Sequence, residues 1–494
     1  MNSRIHFESW SVRACAMAAV MAAVLFSVGC GTSGSTVPPL SGNYTNASLK
    51  GQYVIALTGI GVDQQSTGVA PFSETIVLTA DGSGHLNVTN DDFDQVGGPF
   101  GGPENLAGTY SISADGTGIL QFNQSNYPIT MIDDSHFYLI EQDIFATGSG
   151  FGEKQDTTAF AAAPSGNFVF KAHNLQTSSR VGGINITGGN ITGTEDLLNF
   201  GFLATNSAIA SVGAMSAPDA TNGRGQFVLS DGTQFNYYVI SANKFLILSF
   251  LPGSLEIGQA EMQTGGPFSV GTLANGSSYV LGSSGDTGFA LAVHSGGVFT
   301  TDGAGNVTAG TLDFVQDATV NSDIAVLGGS TYSLASSGRG VLTLSLSGAL
   351  TNPRIFWMVS PAKAYFLVNS GSAVEDGIFN LQTGAPFSSL SNQAAFFMDG
   401  TDTTYKDRVG VFQPTTGSNF NWNQQANAFD PNTGGLLTVL ATNGSATVAA
   451  NGRVTVTVNG VTNSLVFYLS GPNTGVMVQE DANIGGAFSQ QAGQ

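Results

Sequence analysis

The chain has 494 residues, too many for one hydrophobic core, and this length predicts several domains. Its net charge is −20, with only 14 lysines and arginines, so the clustered cations needed for nucleic-acid binding, or for adhesion to an anionic membrane through a basic patch, are missing. A hydrophobic content of 41% excludes a disordered chain, and 66 glycines are typical of turns between many short strands. The composition predicts an all-β protein.

The first 29 residues have the pattern of an export signal. Arg4 and Arg13 precede the apolar segment 14–26, which is too short to span a bilayer comfortably. The segment leads into SVGC (27–30), which resembles the lipobox of bacterial lipoproteins, with serine in the position where leucine is usual. The resemblance implies that the signal peptide 1–29 is removed and that Cys30 carries a lipid such as palmitate. It also implies a location in the cell envelope, at the outer membrane or the cell surface.

Cysteine usage agrees with export. The chain contains Cys15 and Cys30 alone, so the mature protein has one cysteine and no disulfide. Residues 30–47 are rich in Gly, Ser, Thr and Pro and are predicted to form a flexible tether. Ordinary signal-peptidase cleavage beside an incidental cysteine is the alternative to lipidation.

The rest of the chain contains four copies of one pattern, predicted as β modules at 48–160, 164–266, 273–385 and, with the most divergent sequence, 390–490. Each copy has tight turns built on Asp-Gly, Asn-Gly or Ser-Gly, which supply the positive φ angles that hairpins need. The second turn of the four copies reads DGTG (115–118), NGRG (222–225), SGRG (337–340) and NGR (451–453). Three copies end with a glutamine, at Gln155, Gln263 and Gln382.

Apolar and polar residues alternate between these turns, as in Val341-Leu-Thr-Leu-Ser-Leu346, so one face of each strand is predicted to be buried. About eight strands in a meander favour a small up-and-down barrel for each module, since closure removes exposed edges. A β-sandwich, or a propeller built from half-modules, is the alternative. The divergent fourth copy suits a terminal, capping position.

The repeat pattern resembles the repetitive, glycine-rich lipoproteins found in some soil bacteria. The third copy carries the resemblance best, with GVFTTDGAGN (297–306), STYS (330–333) and GRG (338–340), and the first copy has GTYS (108–111). These motifs are turn signatures. The resemblance therefore implies a surface lipoprotein without assigning an activity or any functional residue.

The sequence provides few groups for chemistry. The histidines of the mature chain stand alone and are predicted to lie at the surface or in turns, without zinc or any other metal: His85, His136, His173 and His294. A GxSxG elbow is missing, and no lysine follows a glycine as a phosphate-binding loop requires. We therefore expect no enzymatic activity and no cofactor.

Carboxylates recur after the first hairpin of three copies. They are Asp91, Asp92 and Asp94 in the first copy, Glu195 and Asp196 in the second, and Asp313 in the third. A recurring position favours solvated turn or strand-end residues, or weak calcium binding, over the paired acids of a glycosidase.

Two tryptophans are candidates for ligand contact. Trp357 lies in the apolar strand IFWMV (355–359) and is predicted to be core, whereas Trp422 lies among amides in NFNWNQ (419–424) and is the better candidate for a surface contact, for example with a glycan. The sequence predicts a lipid-anchored surface protein with a non-enzymatic scaffold or ligand-binding role, whose partner is an extracellular glycan or protein. The alternatives are a carrier of small apolar ligands within the barrels and a carbohydrate-active enzyme.

Overall fold

The computed structural model describes residues 40, 42–62, 69–95, 98–143, 145–174, 177–199, 202–251, 254–286, 292–316, 319–347, 352–369, 373–401, 405–430, 434–461, 464–479 and 483–492. The predicted signal peptide 1–29, the predicted lipidation site Cys30 and tether residues 31–39 and 41 lie outside this part. Within the described residues, no helix combines the length and the apolar character that crossing a membrane requires.

Two stretches of chain form closed eight-stranded barrels of antiparallel neighbours. Module 1 comprises β1 (Lys50–Val62), β2 (Val69–Asp81), β3 (His85–Gln95), β4 (Gly98–Ile112), β5 (Thr117–Phe122), β6 (Ser125–Met131), β7 (His136–Gln142) and β8 (Ala146–Lys154). Module 4 comprises β26 (Ala394–Thr401), β27 (Tyr405–Pro414), β28 (Asn419–Asp430), β29 (Gly434–Val448), β30 (Arg453–Val458), β31 (Leu465–Gly471), β32 (Thr474–Gln479) and β33 (Asn483–Gln490). The first and last strands pair in both, as in Tyr53 with Lys154. These closed ladders confirm the predicted up-and-down barrel and exclude the sandwich.

The two central modules have the same strand order, but their sheets are not closed by a continuous ladder. Module 2 comprises β9 (Gly166–Asn174), β10 (Ser178–Thr187), β11 (Asn190–Asn199), β12 (Phe202–Ala210), β13 (Arg224–Val228), β14 (Gln234–Ser241), β15 (Lys244–Ser249) and β16 (Ile257–Met262). Module 3 comprises β17 (Ser278–Asp286), β18 (Ala292–Thr301), β19 (Val307–Gln316), β20 (Thr319–Ala325), β21 (Thr331–Leu334), β22 (Arg339–Thr343), β23 (Arg354–Ser360), β24 (Lys363–Asn369) and β25 (Val374–Leu381). Short 3₁₀ turns lie at Asn46–Ser48, Thr157–Ala161 and Val270–Thr272.

The break in the central modules falls on the fourth strand. In module 1 this strand, β4, pairs first with β3 and then with β5. Its counterpart in module 3 is interrupted between β20 and β21. Isolated bridges, such as Val326 with Leu346, continue the wall of the barrel across this gap. In module 2 the bridge between Ser211 and Leu229 has the same place.

Each module has its own core of buried side chains, dominated by aromatic and branched residues. Module 1 buries Tyr53, Phe72, Phe137 and their neighbours inside the barrel, and modules 2, 3 and 4 have corresponding clusters. The period-two pattern places these side chains on the inward face of every strand. Because the interiors are filled in this way, they do not favour the hypothesis of an apolar carrier.

A glutamine at the end of each module connects it to the next. The side-chain amide donates to two backbone carbonyl oxygens of the following module, one at its second turn and one on its sixth strand. The pairs are Gln155 with Asn222 and Val239, Gln263 with Ser337 and Met358, Gln382 with Asn451 and Leu469, and Gln491 with Asp115 and Met131. Because Gln491 of module 4 reaches module 1, the four modules form a closed ring.

The prediction of a capping fourth copy is therefore wrong. Module 4 has neighbours on both sides, and Gln491 makes the same contact as the three glutamines that the sequence singled out. Apolar clusters occur at each of the four contacts and include Tyr238 between modules 1 and 2, Trp357 between modules 2 and 3, Tyr468 between modules 3 and 4, and Tyr138 between modules 4 and 1. The ring is thus held by burial of outward-facing side chains as well as by the glutamines.

Three of the contacts contain a buried ion pair. An aspartate on the third strand of one module meets the arginine of the next module's second turn in a two-pronged pair, and an aromatic residue of the sixth strand donates to the same carboxylate. The sets are Asp92, Arg224 and Tyr238; Asp196, Arg339 and Trp357; and Asp313, Arg453 and Tyr468. We call each set a lock. The preceding glycine has a positive φ in all three turns, at Gly223, Gly338 and Gly452, so the turn aims the arginine at the neighbouring module.

The contact that closes the ring has no lock at these positions. By register the corresponding residues are Gln425, Thr117 and Thr130, all uncharged. Hydrogen bonds without an arginine are found there instead, including Asn423 Nδ2 to Asp115 Oδ2 at 3.1 Å and Tyr138 to Ser489 at 3.0 Å.

Candidate functional site: a cavity at the centre of the ring

All four modules line a cavity of about 370 Å³. Its walls are the first and last strands of each module, and adjoining strands of modules 1, 3 and 4 also contribute. Side chains of these strands alternate between the interior of a module and the centre of the ring. The ring of barrels therefore creates a site that no single module contains.

A polar layer crosses this cavity. Thr58, His173, Ser284 and Asp399 have the same register position on the first strand of modules 1 to 4. Opposite three of them, on the last strands, lie Ser149, Ile257 and Asp376. The four-fold repeat thus brings hydroxyl, imidazole and carboxylate groups to one level.

Modules 2 and 3 contribute the basic groups of the cavity. Lys171 Nζ lies 2.8 Å from Asp376 Oδ2, and His173 Nδ1 lies 3.6 Å from Asp376 Oδ1. Burial alone would raise the pKa of Asp376. The attraction of its carboxylate to Lys171 and His173 is larger than this effect and holds the pKa below its ordinary value. Burial lowers the pKa of His173, which favours the neutral imidazole.

His294 is a buried histidine in the cavity wall. Its side chain is 3% exposed, and Nε2 has no hydrogen-bond partner. Burial lowers its pKa to about 4, so the ring is neutral at physiological pH and can donate or accept one hydrogen bond. An unpaired buried nitrogen is costly unless a ligand or water satisfies it.

The wall formed by module 4 is acidic. Burial raises the pKa of Asp399 to about 6. Burial, together with the nearby Asp399, raises the pKa of Asp407 to about 8, and the Asp407 carboxylate accepts a hydrogen bond from Thr147 of module 1. The cavity can therefore bind hydroxyl-bearing or weakly basic groups on this side.

Trp422 does not contribute to a surface, and the prediction that it is exposed is wrong. The side chain is fully buried inside module 4, where it packs against Phe396 and Phe412. Its indole nitrogen donates to Gln424 Oε1 at 2.9 Å. Trp357 is buried as predicted, although between modules 2 and 3 rather than inside a barrel.

The recurring carboxylates are also not solvated turn residues. Asp92, Asp196 and Asp313 are the buried acids of the three locks, and Asp94 is buried with Oδ2 accepting from the backbone of Leu255. Their recurrence reflects the contact between modules, which repeats along the chain. Glu195 lies inside module 2 beside Arg180.

The histidines divide into two groups. His85 and His136 are exposed at the first positions of β3 and β7, beside Asp81 and Asp133, and so lie at the surface as predicted, whereas His173 and His294 face the cavity, which corrects the prediction for these two. In the described part of the chain, no three histidine, cysteine or acidic residues are arranged to hold a metal ion.

No family model and no curated protein matches the chain. Among solved structures it is similar to transferrin binding protein B (TbpB) of serogroup B Neisseria meningitidis, with 10% identity and a TM-score of 0.15 over 72% of this chain and 82% of that one. Intact Ap-TbpB, with its N and C lobes, has 8% identity and a TM-score of 0.17 over 94% and 98% of the two chains. Such TM-scores establish no common fold, so the function must be inferred from the chain's own residues.

Proposed function

We propose that this chain is an exported, lipid-anchored surface protein that binds a small polar ligand at the centre of its ring without transforming it. The observation that carries the proposal is the central cavity, to which every module contributes and in which buried polar groups stand without partners. Ligand sites in proteins are typically concave, of about 300–1,000 Å³, and combine apolar walls with a few converging polar groups.

The lining favours a hydroxyl-bearing ligand about the size of a sugar. Phe151, Ile257 and Ile378 provide apolar surface against which the carbon face of such a molecule can pack. The hydroxyls of Thr58 and Ser284 and the free nitrogen of His294 provide hydrogen bonds. Apolar surface combined with a few hydrogen-bonding groups is typical of small-ligand sites, including those for sugars.

Binding is a better assignment than hydrolysis. A glycosidase holds two carboxyl groups on either side of the bond to be cleaved. Asp399 and Asp407 lie on adjacent strands of one module rather than on opposite sides of the cavity. Asp376 forms an ion pair with Lys171. We therefore assign these carboxyl groups to ligand contact and to the packing of the ring.

Filling the cavity tests this proposal. Ser284 is an exposed strand residue at the cavity wall, so we expect Ser284→Trp to fold normally and to occupy the ligand's space. In a thermal-shift screen of mono- and disaccharides, a sugar that raises the Tm of the wild type should leave that of Ser284→Trp unchanged.

Ser333→Trp is the matched control, because Ser333 is an exposed strand residue of the same module and does not line the cavity. It should keep the wild-type response. Equal responses of all three proteins would exclude the cavity as the binding site, and a screen without any response would remove the support for a sugar-sized ligand.

The anchor is tested at Cys30. Cys30→Ser removes the thiol that a lipid would modify, so we expect the variant to lose incorporation of labelled palmitate in a bacterial host and to leave the membrane fraction. Cys15→Ser is the matched control, because Cys15 lies within the predicted signal peptide. Palmitate labelling that survives in Cys30→Ser would show that Cys30 is not the lipidated residue.

A further inference from the structure

The interior of module 1 contains a second polar site, at the end where β1 meets β2. Glu74 on β2, Asp91 on β3, Glu141 on β7 and Asp143 just after β7 lie together there, and we call this group the acidic mouth. Glu74 alternates along its strand with Phe72 and Ile76 of the core, which places its carboxyl group inside the barrel.

Among the described residues, no lysine or arginine is paired with any of these four carboxyl groups. Glu74 and Glu141 are 5% and 7% exposed, and Glu141 Oε2 and Asp91 Oδ1 have no hydrogen-bond partner. Glu74 and Asp91 share a hydrogen bond. Burial, reinforced by the neighbouring acids, raises the pKa of Glu74 and of Glu141 well above the ordinary value, so both groups favour the neutral form.

The other modules contain an arginine at this level. In module 2, Arg180 has the register position of Glu74 and its guanidinium lies 3.4 Å from Glu195 and 3.0 Å from Glu256. In module 4, Arg408 has this position and donates to Gln479 Oε1 at 2.9 Å. In module 3 the buried cation is Arg354, whose partner charge is Glu375.

Module 1 has no arginine to fill the same place. Residues 48–160 include no arginine at all, and their two lysines, Lys50 and Lys154, begin β1 and end β8, at the opposite end of the barrel. In the part of the chain that the structure describes, Asp91 and Asp143 are partly exposed and present the acidic mouth to solution.

We infer that the acidic mouth of module 1 binds a guanidinium group supplied from outside, as on an arginine side chain of a partner, in the place that a built-in arginine has in the other modules. A guanidinium presents a planar fork of five donors, which suits several carboxylate oxygens at once. This site is separate from the central cavity and does not depend on the function proposed for it.

Agmatine, a guanidinium compound without a carboxylate, is the probe. In a thermal-shift titration of the full-length protein we expect agmatine to raise the Tm of the wild type saturably, and less at high salt. Glu74→Arg reproduces the arrangement of modules 2 and 4, so it should have a higher Tm without agmatine and should lose the response. Ser284→Trp should keep the response, which separates this site from the acidic wall of the central cavity.

Glu141→Gln keeps the shape of the side chain and gives a second readout if Glu74→Arg does not fold. We expect at least a tenfold weaker agmatine affinity in this variant. A wild type that does not respond to agmatine, or a response that is equal in Glu141→Gln, would overturn the inference. Stabilisation by calcium chloride but not by agmatine would assign the acidic mouth to an inorganic cation and would overturn it as well.

Discussion

Arg339→Ala is expected to lower the free energy of unfolding by about 3–5 kcal/mol, the usual cost of removing one partner of a buried ion pair. Asp196 is fully buried, and without Arg339 its carboxylate keeps two donors among the described residues, the indole of Trp357 and the backbone N–H of Asn206. The effect is measured by urea unfolding followed through tryptophan fluorescence, since Trp357 belongs to the same lock.

The two sides of the lock are not equivalent, which provides an internal control. The side chain of Arg339 is 24% exposed, whereas that of Asp196 is not exposed at all. In Asp196→Asn the arginine can turn towards water and no charge is left buried, so this variant should lose less stability than Arg339→Ala. A loss of stability below about 1 kcal/mol in Arg339→Ala would be the size expected for a surface salt bridge. It would contradict the assignment of Arg339 and Asp196 to a buried ion pair.

The hairpins of this fold could be predicted from sequence because their causes are local. Asp-Gly and Asn-Gly steps define the turns, and apolar residues at every second position define the inward faces. The outward faces could not be assigned in this way. Strands such as Gln234–Ser241 are buried along nearly their whole length because the other face packs on a neighbouring module, and a single strand's periodicity does not reveal that neighbour.

The locks and the central cavity depend on contacts between distant parts of the chain. Asp196 and Arg339 are 143 residues apart, so no local pattern connects them. Comparison of the four copies would have revealed the locks nevertheless. The second turn has an arginine in copies 2, 3 and 4 but Thr117 in copy 1, and the third strand has an aspartate in copies 1, 2 and 3 but Gln425 in copy 4. Polar residues at the same outward position of the first strands, such as His173 and Asp399, similarly mark the cavity.

Trp422→Ala is the second substitution for which we expect a large effect, a loss of about 3–5 kcal/mol in the free energy of unfolding, because it removes the largest fully buried side chain of module 4. The asparagines around Trp422 suggested a polar surface, but period two separates them: Phe420, Trp422 and Gln424 point inward, while Asn421 and Asn423 alternate with them.

Asn421→Ala, one residue away on the outward face, is the matched control and should change stability by less than about 1 kcal/mol. Urea unfolding of the two variants distinguishes a core tryptophan from a ligand-binding one. A surface contact residue would lose ligand affinity with little change in stability, and that result for Trp422→Ala would restore the interpretation that the structure has overturned. The predicted loss of stability instead follows from strand geometry. Successive side chains of a β-strand point to opposite faces of the sheet, so Trp422 is in the core although its neighbours in sequence are not.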